Sequence, residues 1–384
     1  MVQEFLKDLE KVVNVDAGTA CIDGVKQVAE TFKGMYEGIG FTSKLVDLGD
    51  KVGPGLFATN KPEATHYDVM LNAHMDTVFP AGTVAVRPMS IKGDRAYGPG
   101  VLDCKAGCMT IFYALKNLPK ETLDKLSILV ACNPDEETGS VSSHDWLKEC
   151  ASKSDRALIF EPAREGGELV CARKGSSTYK ITFHGVSAHA GNCPERGRDA
   201  IYAMVKFIAA VKELADWDRG ITLNFGVVHG GTAANITPES VEILGTIRTL
   251  DSKIREQALT RVKEVAESVA KTYRAEAIVE YDEANTPPVI NDADIVNQFA
   301  EIFKETVGEE NVNVTDNNSV NGSEDFAYIA ERVPSAMVSC SCGSRDEGYV
   351  HPMHNPQVRF NEEGLAYSSA LYASTAFNWL KNNK

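Results

Sequence analysis

Three acids stand in a row in the stretch ACNPDEETGS, residues 131–140, directly behind the apolar run LSILV. Asp135, Glu136 and Glu137 repel one another, and burying any of them is costly unless something balances the charge. On a solvated turn such a run would need no partner. Other segments of the chain supply matching chemistry: HMD brings His74 and Asp76, VLDCKAG brings Asp103, and IFEP brings Glu161. Singly, each has a plainer reading, as a core histidine, a helix N-cap or the end of a strand. Together, imidazole and carboxylates form the donor mixture that suits zinc and similar divalent cations. Several carboxylates stay ionised side by side only when cations sit among them, so metal is the expected counter-charge of Glu136 and Glu137.

The elements that must position these groups follow from the apolar pattern. The runs YDVMLNA, LSILVAC and RALIF read as strands, and residues 107–118 read as a helix between them. This alternation predicts an α/β fold: a mostly parallel sheet with helices on both faces. Ligands of such sheets lie beyond the carboxyl ends of the strands, which is where His74, Asp76, Glu136, Glu137 and Glu161 fall. Asp103 stands just before a helix, where free N–H groups favour an anion. Near Lys174 the pattern changes to β-α-β-β-α-β, the split arrangement of a ferredoxin-like α+β domain. The expected organisation is a catalytic domain in two parts, 1–174 and 287–384, interrupted by an inserted domain at 175–286. The N-terminal stretch spaces Val2, Leu6, Leu9 and Val13 along one helix face.

In order along the chain, HMDTV, YGPGVLDCKAG, DEETGS, FEP, GVSAHAG with His189, and HPMHNP resemble the motifs of the co-catalytic di-zinc exopeptidases and deacylases. That family includes glutamate carboxypeptidase, aminoacylase, acetylornithine deacetylase, succinyl-diaminopimelate desuccinylase and peptidase T. The resemblance covers nearly the whole chain, and it implies two zinc ions per subunit, with cobalt or manganese as substitutes. It makes Asp103 the bridging carboxylate, with His74 and Glu161 completing one site and Glu137 and a late histidine the other. His354 is the chosen histidine because HNPQVRFNEEGL fits the family's closing pattern, with His351 as the fallback. Asp76 would accept the ring N–H of His74 and fix its tautomer. The resemblance further implies a cis peptide between Asp103 and Cys104, an oxyanion role for His189, and substrate contacts by Asn235 and Arg248. The insert would be a dimerisation or lid domain, making the protein a homodimer.

Two metals about 3.5–4 Å apart would lower the pKa of a shared water, and Glu136, free of metal, would accept its proton and return it to the leaving amine. Arg248 is shaped to grip the carboxylate of a released amino acid. The expected function is zinc-dependent hydrolysis of an amide bond in a small peptide or N-acyl amino acid, most like glutamate carboxypeptidase. The loop AREGGE after Glu161 does not compel glutamate selectivity. An aminopeptidase of the peptidase T kind and an N-acyl-amino-acid deacylase are the alternatives. A binding protein without turnover fits less well, because it has no need of a metal-free base.

Composition narrows the partners. The 384 residues are 43% hydrophobic, enough for two domains, and the formal net charge of -15 argues against nucleic acid and anionic membranes. No apolar run reaches the roughly 20 residues of a membrane span. Nine scattered cysteines, an odd number, read as reduced thiols of a cytoplasmic protein. Cys104 is read as packing, and Glu324 or Asp325 in NGSEDFAYIA as the cap of a following helix.

Overall fold

Helix α1 (Val2–Val13) turns Phe5, Leu6, Leu9, Val12 and Val13 into the core, a wider stripe than Leu6, Leu9 and Val13 alone. Helix α2 (Ile22–Gly38) buries Val25, Val28, Ala29, Phe32 and Tyr36, again at three- and four-residue spacing. Both stripes pack into one cluster with helix α3 (Gly107–Lys116), whose Ile111, Phe112 and Leu115 are buried in it. The computed structural model describes residues 2–92, 95–162, 168–170, 172–282, 285–307, 313–315 and 324–340. Among these residues no helix is long and apolar enough to cross a membrane.

The chain forms two units. The first holds residues up to 170 and the described parts of 290–315 and 328–340. Its sheet has six strands: β1 (Thr42–Val46), β2 (Gly55–Thr59), β3 (Val69–His74), β4 (Ile128–Asn133), β5 (Ala157–Pro162) and, last in the chain, β10 (Ser335–Cys340). The order is β1-β2-β4-β3-β5-β10. β4, β3, β5 and β10 run parallel, while β2 pairs antiparallel with β1 and β4. This is a mixed α/β fold with a mostly parallel central sheet. Every residue of β3 and β4 is buried, so both faces of the sheet are covered, as parallel strands require. α3 begins hard against β5: a Cβ on Gly107 would lie 2.3 Å from the Phe160 carbonyl oxygen, so only glycine lets the helix start there.

The second unit is described over 172–282, 285–289 and 324–327. It contains β6 (Gly175–His184), α4 (Ala200–Val211), β7 (Thr222–Gly230), β8 (Ser240–Thr249), α5 (Ser252–Thr272) and β9 (Glu276–Tyr281). The strand order is β7-β8-β6-β9 and every pairing is antiparallel. Burial alternates along β6 and β8, which send Tyr179, Ile181, Phe183, Val241, Ile243 and Ile247 inward. Phe207 of α4 and Val262 of α5 cover that face. Both helices start on an aspartate cap: Asp199 accepts from the Tyr202 N–H at 2.9 Å and Asp251 from the Ile254 N–H at 2.8 Å. Glu324 forms a largely buried ion pair with Arg173.

Candidate metal centre

β3 ends on His74, which is 1% exposed, and the chain then delivers Asp76, which is fully buried. One side of the imidazole faces Asp76, with Nδ1 3.1 Å from Oδ1. The other side faces two ligand candidates: Nε2 lies 2.9 Å from Asp103 Oδ1 and 3.8 Å from Glu161 Oε2. When Nδ1–H donates to Asp76, the Nε2 lone pair is left to point at the acids, the orientation a metal-binding histidine needs.

Asp103 sits in the turn Val101–Ala106, between Gly100, whose φ is 75°, and the start of α3. The Asp103–Cys104 peptide is cis, as the family resemblance implied. Cys104 also comes close to the acids, but its Sγ–H donates to the Phe160 carbonyl at 2.8 Å and its side chain is buried. Cys108 Sγ–H donates to the His74 carbonyl at 3.2 Å, and burial pushes its thiol pKa upward. Cys21, Cys104, Cys108, Cys132, Cys150 and Cys193 are free thiols.

The acid run that follows β4 divides its work. Asp135 is buried and structural: Ser143 Oγ donates to it at 2.5 Å and the Ser142 N–H at 2.8 Å. Burial still raises its pKa despite those bonds. Glu136 and Glu137 are half-buried, and their backbone N–H groups donate to Asp76 at 3.1 and 3.3 Å. Behind them runs a buried ladder. Asn72 Nδ2 donates to Asn133 Oδ1 at 3.1 Å, and Asn133 Nδ2 to Ser140 Oγ at 3.1 Å. β3 and the acid loop are thereby fixed to each other through side chains as well as through the sheet.

Two groups of donor atoms result, each within 4.8 Å of one another: His74, Asp103, Cys104 and Glu161, and His74, Glu136 and Glu137. Burial works against a charged His74, yet Glu161, then Cys104, Asp103 and Asp76, push its pKa well above 6.5. The field that favours a proton there favours a divalent cation equally, and the donor types fit one. Two residues beyond Asp103, Lys105 is completely buried and donates from Nζ to the Val15 carbonyl at 3.0 Å. Burial lowers its pKa to about 7, against the opposing pull of Asp16, Cys108 and Asp76.

The remaining sequence candidates lie in the second unit, except for one pair. His189 and Asn235 are neighbours there: Ala188–His189 pairs antiparallel with Ile236–Thr237, and the Ala190 N–H donates to the Asn235 carbonyl at 2.9 Å. His189 Nδ1 accepts the Gly191 and Asn192 N–H groups, both at 3.1 Å, which leaves the proton of the neutral ring on Nε2. Arg248 is half-buried on β8, out of phase with the core residues Ile243 and Ile247. His351 and His354 lie outside the described residues.

Residues 70–378 match the family model described as Peptidase family M20/M25/M40. The chain belongs to this family. Among curated members, carboxypeptidase G2 of Pseudomonas sp. (strain RS-16) is 30% identical over 265 residues, which is 68% of this chain and 64% of the relative. N-acetyldiaminopimelate deacetylase of Streptococcus sanguinis (strain SK36) is 28% identical over 232 residues, 58% of each. The chain thus spans less than two thirds of the length of either relative. Among solved structures, aminopeptidase PepT from Bacillus cereus ATCC 10987 is similar in fold, with a TM-score of 0.78 at 22% identity, covering 98% of both chains. The YXEP protein of Bacillus subtilis, described as a dinuclear metal binding peptidase from the M20 family, gives a TM-score of 0.69 at 17% identity over 99% of both chains.

Proposed function

We propose that this M20 member is a zinc-dependent hydrolase of an amide bond in a small peptide or N-acyl amino acid, with carboxypeptidase action as the leading form. The observation that carries the reading is the gathering of His74, Asp103 and Glu161, and of Glu136 and Glu137, at the ends of three neighbouring strands and one helix. Asp103, His74 and Glu161 would hold one cation, and Asp103, Glu137 and His354 the other. When bound, the cations acidify the attacking water and polarise the scissile carbonyl.

This chain's own residues supply the rest. Glu136 takes the proton of the attacking water and delivers it to the leaving amine. Asp76 keeps the His74 ring turned toward the acids. His189, with its proton on Nε2, donates to the oxyanion developing in the other subunit's active site, and Asn235 lies beside His189 to contact substrate. Arg248 binds the carboxylate of the released amino acid through paired hydrogen bonds. Dimerisation through the second unit is supported by β7, an edge strand among the described residues, where Val227 and Val228 are 38% and 46% exposed.

A panel of dipeptides and N-acyl amino acids, assayed with protein stripped of metal and then titrated with zinc, tests the reading. Turnover restored at about two zinc ions per chain is the expected result. A requirement for a free amino terminus would replace carboxypeptidase by aminopeptidase action, and preference for acylated amino acids would favour deacylation. Arg248→Ala should raise KM for carboxylate-bearing substrates by about tenfold or more, and unchanged KM would remove Arg248 from the site.

A further inference from the structure

Asp76 receives four donors on two oxygens, which fills the capacity of a carboxylate. Three belong to the candidate centre: His74 Nδ1, the Glu136 N–H and the Glu137 N–H. The fourth is Thr19 Oγ1, which donates to Oδ2 at 2.6 Å from a segment with no ligand of its own. The same segment supplies the Val15 carbonyl to the buried Lys105 ammonium, two residues beyond Asp103.

Residues 15–19 grip their surroundings along their whole length. The Ala17 carbonyl accepts from the Thr77 N–H at 2.9 Å, and Gly18 bridges to Thr77 in parallel register. A Cβ on Gly18 would lie 2.2 Å from the Phe79 carbonyl oxygen, so the two strands approach more closely than any side chain permits. Asp16 accepts the Gly82 and Val84 N–H groups at 2.7 and 2.9 Å. The segment is therefore tied to residues 76–84, which follow His74, and through Lys105 to the turn that holds Asp103.

We infer that Val15–Thr19 is a strut of the metal centre and that Thr19 and Lys105 are positioning residues: Thr19 fixes Asp76, and through it the His74 ring and the acid loop, while Lys105 fixes the turn of Asp103. The inference rests on the metal-centre reading above and concerns how tightly that centre holds its cations. Thr19→Val keeps the side-chain shape and removes the donor; Thr19→Ser keeps the donor. Lys105→Met keeps length and volume and removes the donor to the Val15 carbonyl, so a modest drop in melting temperature is expected from the lost hydrogen bond alone.

The test is zinc titration of the metal-free full-length chain against a chromophoric chelator, with thermal melts of the same metal-free samples. Thr19→Val and Lys105→Met should each lose about tenfold in zinc affinity, the lower end of what loss of an outer partner costs. Thr19→Ser should bind like the unaltered chain, and neither weakened variant should melt early enough to account for the loss. Unaltered affinity in both Thr19→Val and Lys105→Met would overturn the strut while leaving the metal centre standing. Failure of the unaltered chain to take up zinc would overturn both.

Discussion

In the first unit β3 and β4 are buried at every residue, whereas β6 and β8 of the second bury only alternate side chains. A strand enclosed on both faces has no side along which to display chemistry, so its functional groups must cluster where it ends. His74, Glu136, Glu137 and Glu161 do so. A half-covered sheet can carry polar groups on its open face, and Arg248, half-buried near the end of β8, stands out of phase with the core residues in that way. The comparison teaches that the first unit gains rigidity around a charge cluster, held by buried bonds from several segments. The second offers accessible groups on a self-sufficient antiparallel frame.

Glu136→Gln should break the comparison at its most sensitive point. The substitution keeps shape but cannot accept a proton, so kcat should fall by about 10²–10⁴-fold while zinc uptake measured by calorimetry is retained. Undiminished turnover would remove Glu136 from the chemistry.

In the second unit the largest effect belongs to the frame. Phe207 is fully buried, with ring centroids 5.7 Å from both Phe183 and Phe225. Phe207→Ala should cost about 3–5 kcal/mol in chemical denaturation followed by near-ultraviolet dichroism. If the units are as independent as their cores suggest, zinc uptake by the first persists after this loss. A single transition that abolishes both would show them to be one cooperative body.

A smaller effect tests how α1 is fastened to α3. Asp8 accepts from Lys11 Nζ at 2.7 Å and from Tyr113 Oη at 2.8 Å. Burial alone would raise its pKa, but these two bonds, with Lys116, carry it below the ordinary value. A carboxyl whose pKa is lowered on folding stabilises above its unfolded pKa, and that contribution disappears as pH falls through the folded value. Asp8→Asn should therefore cost about 1 kcal/mol near neutral pH. The gap to the unaltered chain should close in acid, as compared by urea melts at about pH 7 and about pH 3.

Much of the frame was legible because its signals are local. Apolar runs ending on His74, Glu136 and Glu161 marked the strands and their carboxyl ends, and three- and four-residue spacing marked α1. The acid run itself was only partly legible, since nothing in ACNPDEETGS separates buried Asp135, spent on Ser142 and Ser143, from its two half-buried neighbours. Thr19 and Lys105 were invisible for another reason. Threonine and lysine are common, and the bond from Thr19 to Asp76 joins residues 57 apart in sequence, a pairing that no periodicity announces. The Glu324 partner was missed likewise, because Arg173 lies far upstream.

The pairing of β10 with β5, Ser335 opposite Ala157, also sets a timetable for synthesis. His74, Asp103, Glu136, Glu137 and Glu161 leave the ribosome before the second unit does, while β10 emerges only after that unit is complete. At roughly 5–20 residues per second, the β5 edge stays open for on the order of ten seconds. For that interval the parallel sheet presents the open edge of an apolar strand to other nascent chains, a hazard that grows with expression rate.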